Sequence, residues 1–135
     1  GTLLRTAAAA GATAVWLTKG CAQAWSPKVL RAGMGAHFCL PIVEGVDLTL
    51  ALAKTSTTSI ATTLDATQSL FETDLTGPTI WLFGAEGKGL SEDIKARATA
   101  RITIPMPGPM ESLNVAAAAA ICLFEQARQR GMTGR

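Results

Sequence analysis

Short apolar runs rich in β-forming residues alternate with stretches of helical spacing along the chain, and this alternation constrains the fold more than any other feature. AVWLT (14–18), HFCLPIV (37–43), TSIATTL (58–64), TIWLF (79–83) and ARITIPM (100–106) are compact and mostly apolar, as strands covered on both faces must be. Helical stretches lie between them: 2–10, ended by Gly11, then 27–34, 47–53 and 91–98. Ser91 opens the last of these well, because its hydroxyl can accept from free amides while Glu92 and Asp93 face the positive end of the helix dipole. The alternation predicts an α/β domain with a mostly parallel sheet flanked by helices. The 135 residues, 48% of them hydrophobic, suffice for one core, so a single domain is expected over 1–135.

The longest apolar run, VAAAAAICLF (115–124), is about half of the roughly 20 residues that a membrane-spanning helix needs. The chain opens without the basic start and cleavage site of a secretory signal. The expectation is a soluble, cytoplasmic protein with no membrane partner. Cys21, Cys39 and Cys122 form no CxxC pair and leave one cysteine over, which predicts reduced, buried thiols. His37, two residues before Cys39, makes two potential ligands, too few for a metal site. A formal charge of +2 neither establishes nor opposes a nucleic-acid partner.

FGAEGKGLS (83–91) directly follows TIWLF and sets three glycines around one glutamate and one lysine. A P-loop needs four residues between its first glycine and a Gly-Lys pair followed by Ser or Thr, whereas Lys88 sits four residues after Gly84 and precedes Gly89. Gly84, Gly87 and Gly89, spaced three and two apart, also miss the dinucleotide fingerprint, and Glu86 sets a carboxylate where a pyrophosphate would lie. The loop is suited to close backbone approach by something other than a bare phosphate.

In IPMPGPMESLNVAAAAAICLFEQARQR, Pro105, Pro107 and Pro109 with Gly108 can continue neither a helix nor a central strand, so residues 106–111 form a stiff loop. Ser112 or Asn114 can then cap a helix in which Val115, Ala118, Ala119, Cys122 and Leu123 follow the helical period, while Glu125, Arg128 and Arg130 face water or a partner. Phe124, Gln126 and Ala127 make a second face of mixed polarity. Five consecutive alanines favour the helix and keep it slender enough for close packing.

GAEGKGLS, IPM and SLNVAAAAAICLFE, in this order, resemble the second and third motifs of the SpoU (TrmH) family of RNA ribose methyltransferases in the SPOUT superfamily. GTLLRTAAAAGA resembles the family's first motif and SPKVLRAGMGAHFCLPI its linking segment, so the resemblance covers almost the whole chain. It implies an α/β fold with a deep C-terminal trefoil knot, S-adenosylmethionine as methyl donor, RNA as substrate, and a homodimer whose active site is completed by the second subunit. The family's first motif begins with an asparagine just before the residues matching Gly1 and Thr2, and a β-strand precedes it. By that comparison 1–135 is an N-terminally incomplete SpoU-type methyltransferase domain with its first strand missing.

The resemblance also implies roles. Gly84, Gly89, Ile104, Met106 and Leu113 are expected to contact the cofactor. Arg5 stands where the family places an arginine against the substrate hydroxyl or its adjacent phosphate. A guanidinium stays protonated at ordinary pH, so hydrogen bonding and charge stabilisation suit it better than proton abstraction. Glu86 either holds its loop by accepting hydrogen bonds or joins the catalytic shell; Ser112 and Asn114 either orient the ribose or cap the last helix. Lys28 and Arg31 are expected phosphate contacts. Methyl transfer of this kind needs no metal. The expected function is S-adenosylmethionine-dependent methylation of a ribose 2′-hydroxyl of RNA, with rRNA favoured over tRNA; the alternative is a non-catalytic RNA-binding or assembly module that keeps the knotted dimer.

Overall fold

The computed structural model describes residues 1–21, 23–85 and 88–132. Among these residues there are five strands and five α-helices, alternating except where a 3₁₀ turn (Leu70–Glu72) alone joins the third strand to the fourth, and the paired strands are parallel. The chain opens with α1 (Thr2–Ala9), which buries Leu4 and Ala7 and is stopped at Gly11, where φ is +84°. After β1 (Val15–Thr18), α2 (Pro27–Gly33) starts on Ser26, whose Oγ accepts from Val29 N at 3.4 Å, with Pro27 placed where its missing N–H costs nothing. It ends one residue sooner than its helical spacing suggests, because Met34 and Gly35 both take left-handed backbone, at φ +51° and +89°.

That left-handed pair corrects the second strand. Residues 36–38 form a 3₁₀ turn, and β2 begins only at Ile42 and runs to Val46. His37 and Cys39 therefore precede the strand instead of lying in it. His37 is buried, with Nε2 2.6 Å from the Ala24 carbonyl oxygen, whereas Cys39 is exposed. Cys21 is exposed as well, so of the three thiols expected inside only Cys122 is buried. Desolvation pushes its pKa up to about 12.

α3 (Leu48–Lys54) is capped by Asp47, whose Oδ1 accepts from Leu50 N at 3.2 Å, and leads to β3 (Thr58–Thr62). β4 (Thr79–Leu82) and β5 (Ala100–Ile102) lie on either side of β3, with Ile60 opposite Trp81 and Ala100. β1 and β2 pair separately, Val15 opposite Ile42. α4 (Glu92–Arg97) has Ser91 as its cap, with Ser91 Oγ 3.2 Å from Ile94 N.

α5 (Val115–Gln129) links two cores. Cys122 joins Ile60, Leu70, Leu75 and Ile102, while Leu123 packs against Leu4, Ala7, Ala36 and Leu40. Its small residues let it lie close: Ala119 and Cys122 are fully buried. Two of its polar residues depart from expectation. Glu125 and Gln126 are buried, not solvent-facing. Gln126 Nε2 donates to the Leu75 carbonyl at 3.0 Å and to Thr79 Oγ1 at 2.9 Å, and its Oε1 accepts from Trp81 Nε1 at 2.9 Å. The side chain satisfies polar groups that burial would otherwise leave unpaired. Among the described residues no helix is long and apolar enough to cross a membrane.

Candidate functional site

Parallel pairing brings the carboxyl ends of β3, β4 and β5 to one edge of their sheet, where open α/β sheets hold ligands. The segments leaving those ends enclose a cavity of about 380 Å³, within the size range of small-molecule sites. Thr62 to Asp65 come from the end of β3, Phe83 to Ala85 and Lys88 to Leu90 from the loop after β4, and Thr103, Ile104, Met106 and Leu113 from the chain after β5. Val115 and Ala118 of α5 close the far side. A second cavity, of about 440 Å³, shares Gly84, Ala85 and Gly89 and is bounded by Thr18, Lys19 and residues 46–49. The glycine loop is thus a wall between two spaces.

That loop owes its shape to two glycines. Gly89 has φ +64° and its N–H donates to the Ala85 carbonyl at 2.9 Å, closing the loop on itself. A Cβ on Gly84 would overlap the Gly89 carbonyl carbon and the Leu90 nitrogen. The space that Gly84 leaves is therefore filled by the loop's own backbone, so the loop's geometry requires this glycine whether or not a ligand approaches it. Glu86 lies outside the described residues.

The structure brings Gly84, Gly89, Ile104, Met106 and Leu113 together around the one cavity. It does not bring Arg5, Ser112, Asn114, Lys28 or Arg31 into the lining of either cavity. Arg5 is on the exposed side of α1, and Lys28 and Arg31 are exposed on α2. Asn114 is the N-cap of α5, its Oδ1 accepting from Ala116 N at 2.8 Å, and Ser112 is exposed in the loop before it. Between the two candidates for that cap, the geometry selects Asn114.

Thr63, Asp65 and Lys95 also line the cavity, though sequence reasoning passed over them. The signal was available: TLDAT follows a strand of a parallel sheet, at the end where ligands bind. The Asp65 carboxyl is held below its ordinary pKa, first by the Thr63 hydroxyl and then by the Lys95 ammonium. Thr63 Oγ1 is buried with no partner at hydrogen-bond distance among the described residues, so it acts on Asp65 as a nearby dipole. Lys95 Nζ reaches Glu92 Oε1 at 3.3 Å. The lining mixes apolar side chains, Phe83, Leu90, Ile104, Met106 and Leu113, with hydroxyls, a carboxylate and ammonium groups. Such a mixture fits a ligand with both an apolar part and charged, hydrogen-bonding groups.

Residues 1–124 match the SpoU rRNA Methylase family. The chain is 44% identical over 133 residues to an uncharacterized tRNA/rRNA methyltransferase of Synechocystis, covering 96% of this chain and 48% of the relative. It is 38% identical to the 23S rRNA (guanosine-2′-O-)-methyltransferase of Pseudomonas putida, covering 96% and 54%. A structure of an AdoMet-bound rRNA methyltransferase from Sinorhizobium meliloti superimposes with a TM-score of 0.88 at 33% identity, covering 94% of this chain and 50% of that one. The chain spans about half the length of the curated relatives it matches. With residues 1–124 matched to its model, the chain belongs to the SpoU rRNA methylase family.

Proposed function

We infer that this chain is the catalytic domain of an S-adenosylmethionine-dependent methyltransferase acting on a ribose 2′-hydroxyl of RNA, with rRNA favoured over tRNA. The observation that carries the reading is the convergence of Gly84, Gly89, Ile104, Met106 and Leu113, from two loops well apart in sequence, after β4 and after β5, on one cavity. The apolar side chains suit the adenine ring, while Asp65 and the hydroxyls of Thr62 and Thr63 suit the polar groups of the cofactor. The 2′-O-methyltransferase among the relatives supports the ribose as acceptor and rRNA as its source. The cytoplasm is the matching compartment.

When bound, S-adenosylmethionine would supply a methyl group on a sulfonium, whose transfer would form a C–O bond as the C–S bond breaks, the hydroxyl proton passing to solvent. The chain's own work is positioning and electrostatics. The glycine loop and the 104–113 segment would hold the cofactor. Arg5 donates to the ribose oxygen or the adjacent phosphate and stabilises the charge that develops there. Because Arg5 does not line the cavity of its own chain, a second copy supplies it, in a homodimer with shared sites. Lys28 and Arg31 hold RNA phosphates. The likeness to solved methyltransferases supports a trefoil knot formed by the segments around the cavity.

Transfer of isotopically labelled methyl from S-adenosylmethionine to RNA by the full-length protein tests this function. Label in the RNA is expected with the parent and absent when Leu113→Asp places a charge in the cavity. RNA binding without any transfer would instead favour a non-catalytic binding module.

A further inference from the structure

Every one of the ten acidic residues lies at position 44 or later. Residues 1–43 carry Arg5, Lys19, Lys28 and Arg31 and no carboxylate, a formal +4, whereas 44–135 carry eight basic against ten acidic residues, a formal −2. Within the basic third, α2 presents Lys28 and Arg31 to solvent, three residues apart and so on one face. Large apolar side chains flank them. Trp25, just before the helix, is 50% exposed; Met34, just after it, is 70% exposed; Phe38, in the 3₁₀ turn, is 84% exposed. Trp25 is held in place. The Trp25 ring packs on buried His37 with centroids 4.9 Å apart, His37 Nε2 bonds the Ala24 carbonyl, and the first carboxylate of the chain, Glu44, accepts from Ala24 N at 3.5 Å.

Resting on the RNA-methyltransferase reading, we propose that this α2 shoulder docks a single-stranded stretch of the substrate RNA, with Lys28 and Arg31 on phosphates and Phe38 and Trp25 stacking bases. A basic track interleaved with exposed aromatic rings is how proteins hold single strands, since every base offers a π-face and every linkage a charge. Self-association would not serve the same surface. A two-fold contact sets each patch against its own copy, which here brings lysine and arginine against lysine and arginine.

The test is titration of the full-length protein, without cofactor, with a labelled unstructured RNA oligonucleotide at several salt concentrations, and with the same sequence as a duplex. Phe38→Ala is expected to weaken single-strand binding about tenfold with the salt slope unchanged. Phe38→Trp restores it, and duplex binding is insensitive to both. The double variant Lys28→Ala, Arg31→Ala should reduce the slope of log K against log salt by about 1.4. Phe38 is 84% exposed, so its truncation leaves the core intact. Unchanged binding by the folded Phe38 and double variants overturns the proposal. So does a shift from dimer to monomer on Phe38→Ala with RNA affinity per protomer unchanged, which would make the face an interface between copies. Binding is read without turnover, so this surface stands or falls separately from methyl transfer.

Discussion

Arg5 and Gly84 place opposite demands on the molecule. Arg5 is exposed on α1 and away from the cavity, so removing it touches neither core nor cofactor wall. Arg5→Ala in the full-length protein should lower methyl transfer by about 10² or more with cofactor affinity unchanged, the usual loss for a charged transition-state stabiliser. Single-turnover rates and calorimetric titration read the two quantities; near-parental turnover would remove Arg5 from the reaction. Gly84 is constrained from within, because a Cβ there overlaps Gly89 and Leu90. Gly84→Ala is therefore expected to lower both the denaturation midpoint and the affinity for S-adenosylmethionine. Leu113→Asp, at a side chain 41% exposed, should remove measurable affinity for S-adenosylmethionine with the midpoint little changed. A Gly84→Ala protein as stable as its parent would contradict the self-closed loop.

Among the elements, α5 shows most clearly what patterning does and does not reveal. Its start and apolar stripe were legible, because Asn114 can cap and Val115, Ala118, Ala119, Cys122 and Leu123 keep the helical period. The inward turn of Glu125 and Gln126 was not, since a polar residue carries no mark of whether its partner is water or a buried group such as Trp81 Nε1. The same limit explains the second strand, where HFCLPIV has strand composition but the left-handed backbone at Met34 and Gly35 puts His37 into a turn. The parallel arrangement and the cavity loops followed from alternation and motif; Asp65 and Thr63 did not, because only the folded sheet brings them into one lining with Met106 and Leu113. Glu125 gives a pH test. Hydrogen bonds from Arg128, 2.7 Å away, and from Gln129 lower its pKa from 4.5 to about 2. A carboxyl depressed in the folded state stabilises the fold fully above its unfolded value and loses that contribution as pH falls through the folded one. Between pH 4.5 and about 2, the urea midpoint of the parent should fall more steeply than that of Glu125→Gln. Parallel curves would show that the ion pair contributes nothing.

For the whole molecule, the separation of Arg5 from its own chain's cavity predicts a dimer with sites shared between subunits. Such an interface should bury more than about 1,000 Å² in total, and the full-length protein should sediment as a dimer at micromolar concentration. Verified heterodimers of an Arg5→Ala subunit and a Leu113→Asp subunit contain one site with an intact cavity and an intact arginine. They should recover roughly half of the parental activity, given two equivalent sites, although each homodimer is inactive. No recovery would place arginine and cavity in the same chain.

The central claim, methylation of a ribose oxygen of RNA, is tested most directly by incubating the full-length protein with ribosomal RNA and methyl-labelled S-adenosylmethionine, digesting the RNA to nucleosides, and analysing them by mass spectrometry. The structure and its family predict one nucleoside with the label on the sugar fragment, as a 2′-O-methyl group, and none with the Leu113→Asp variant. Label on a base fragment, or no label in any RNA offered to a folded, cofactor-binding protein, would contradict it.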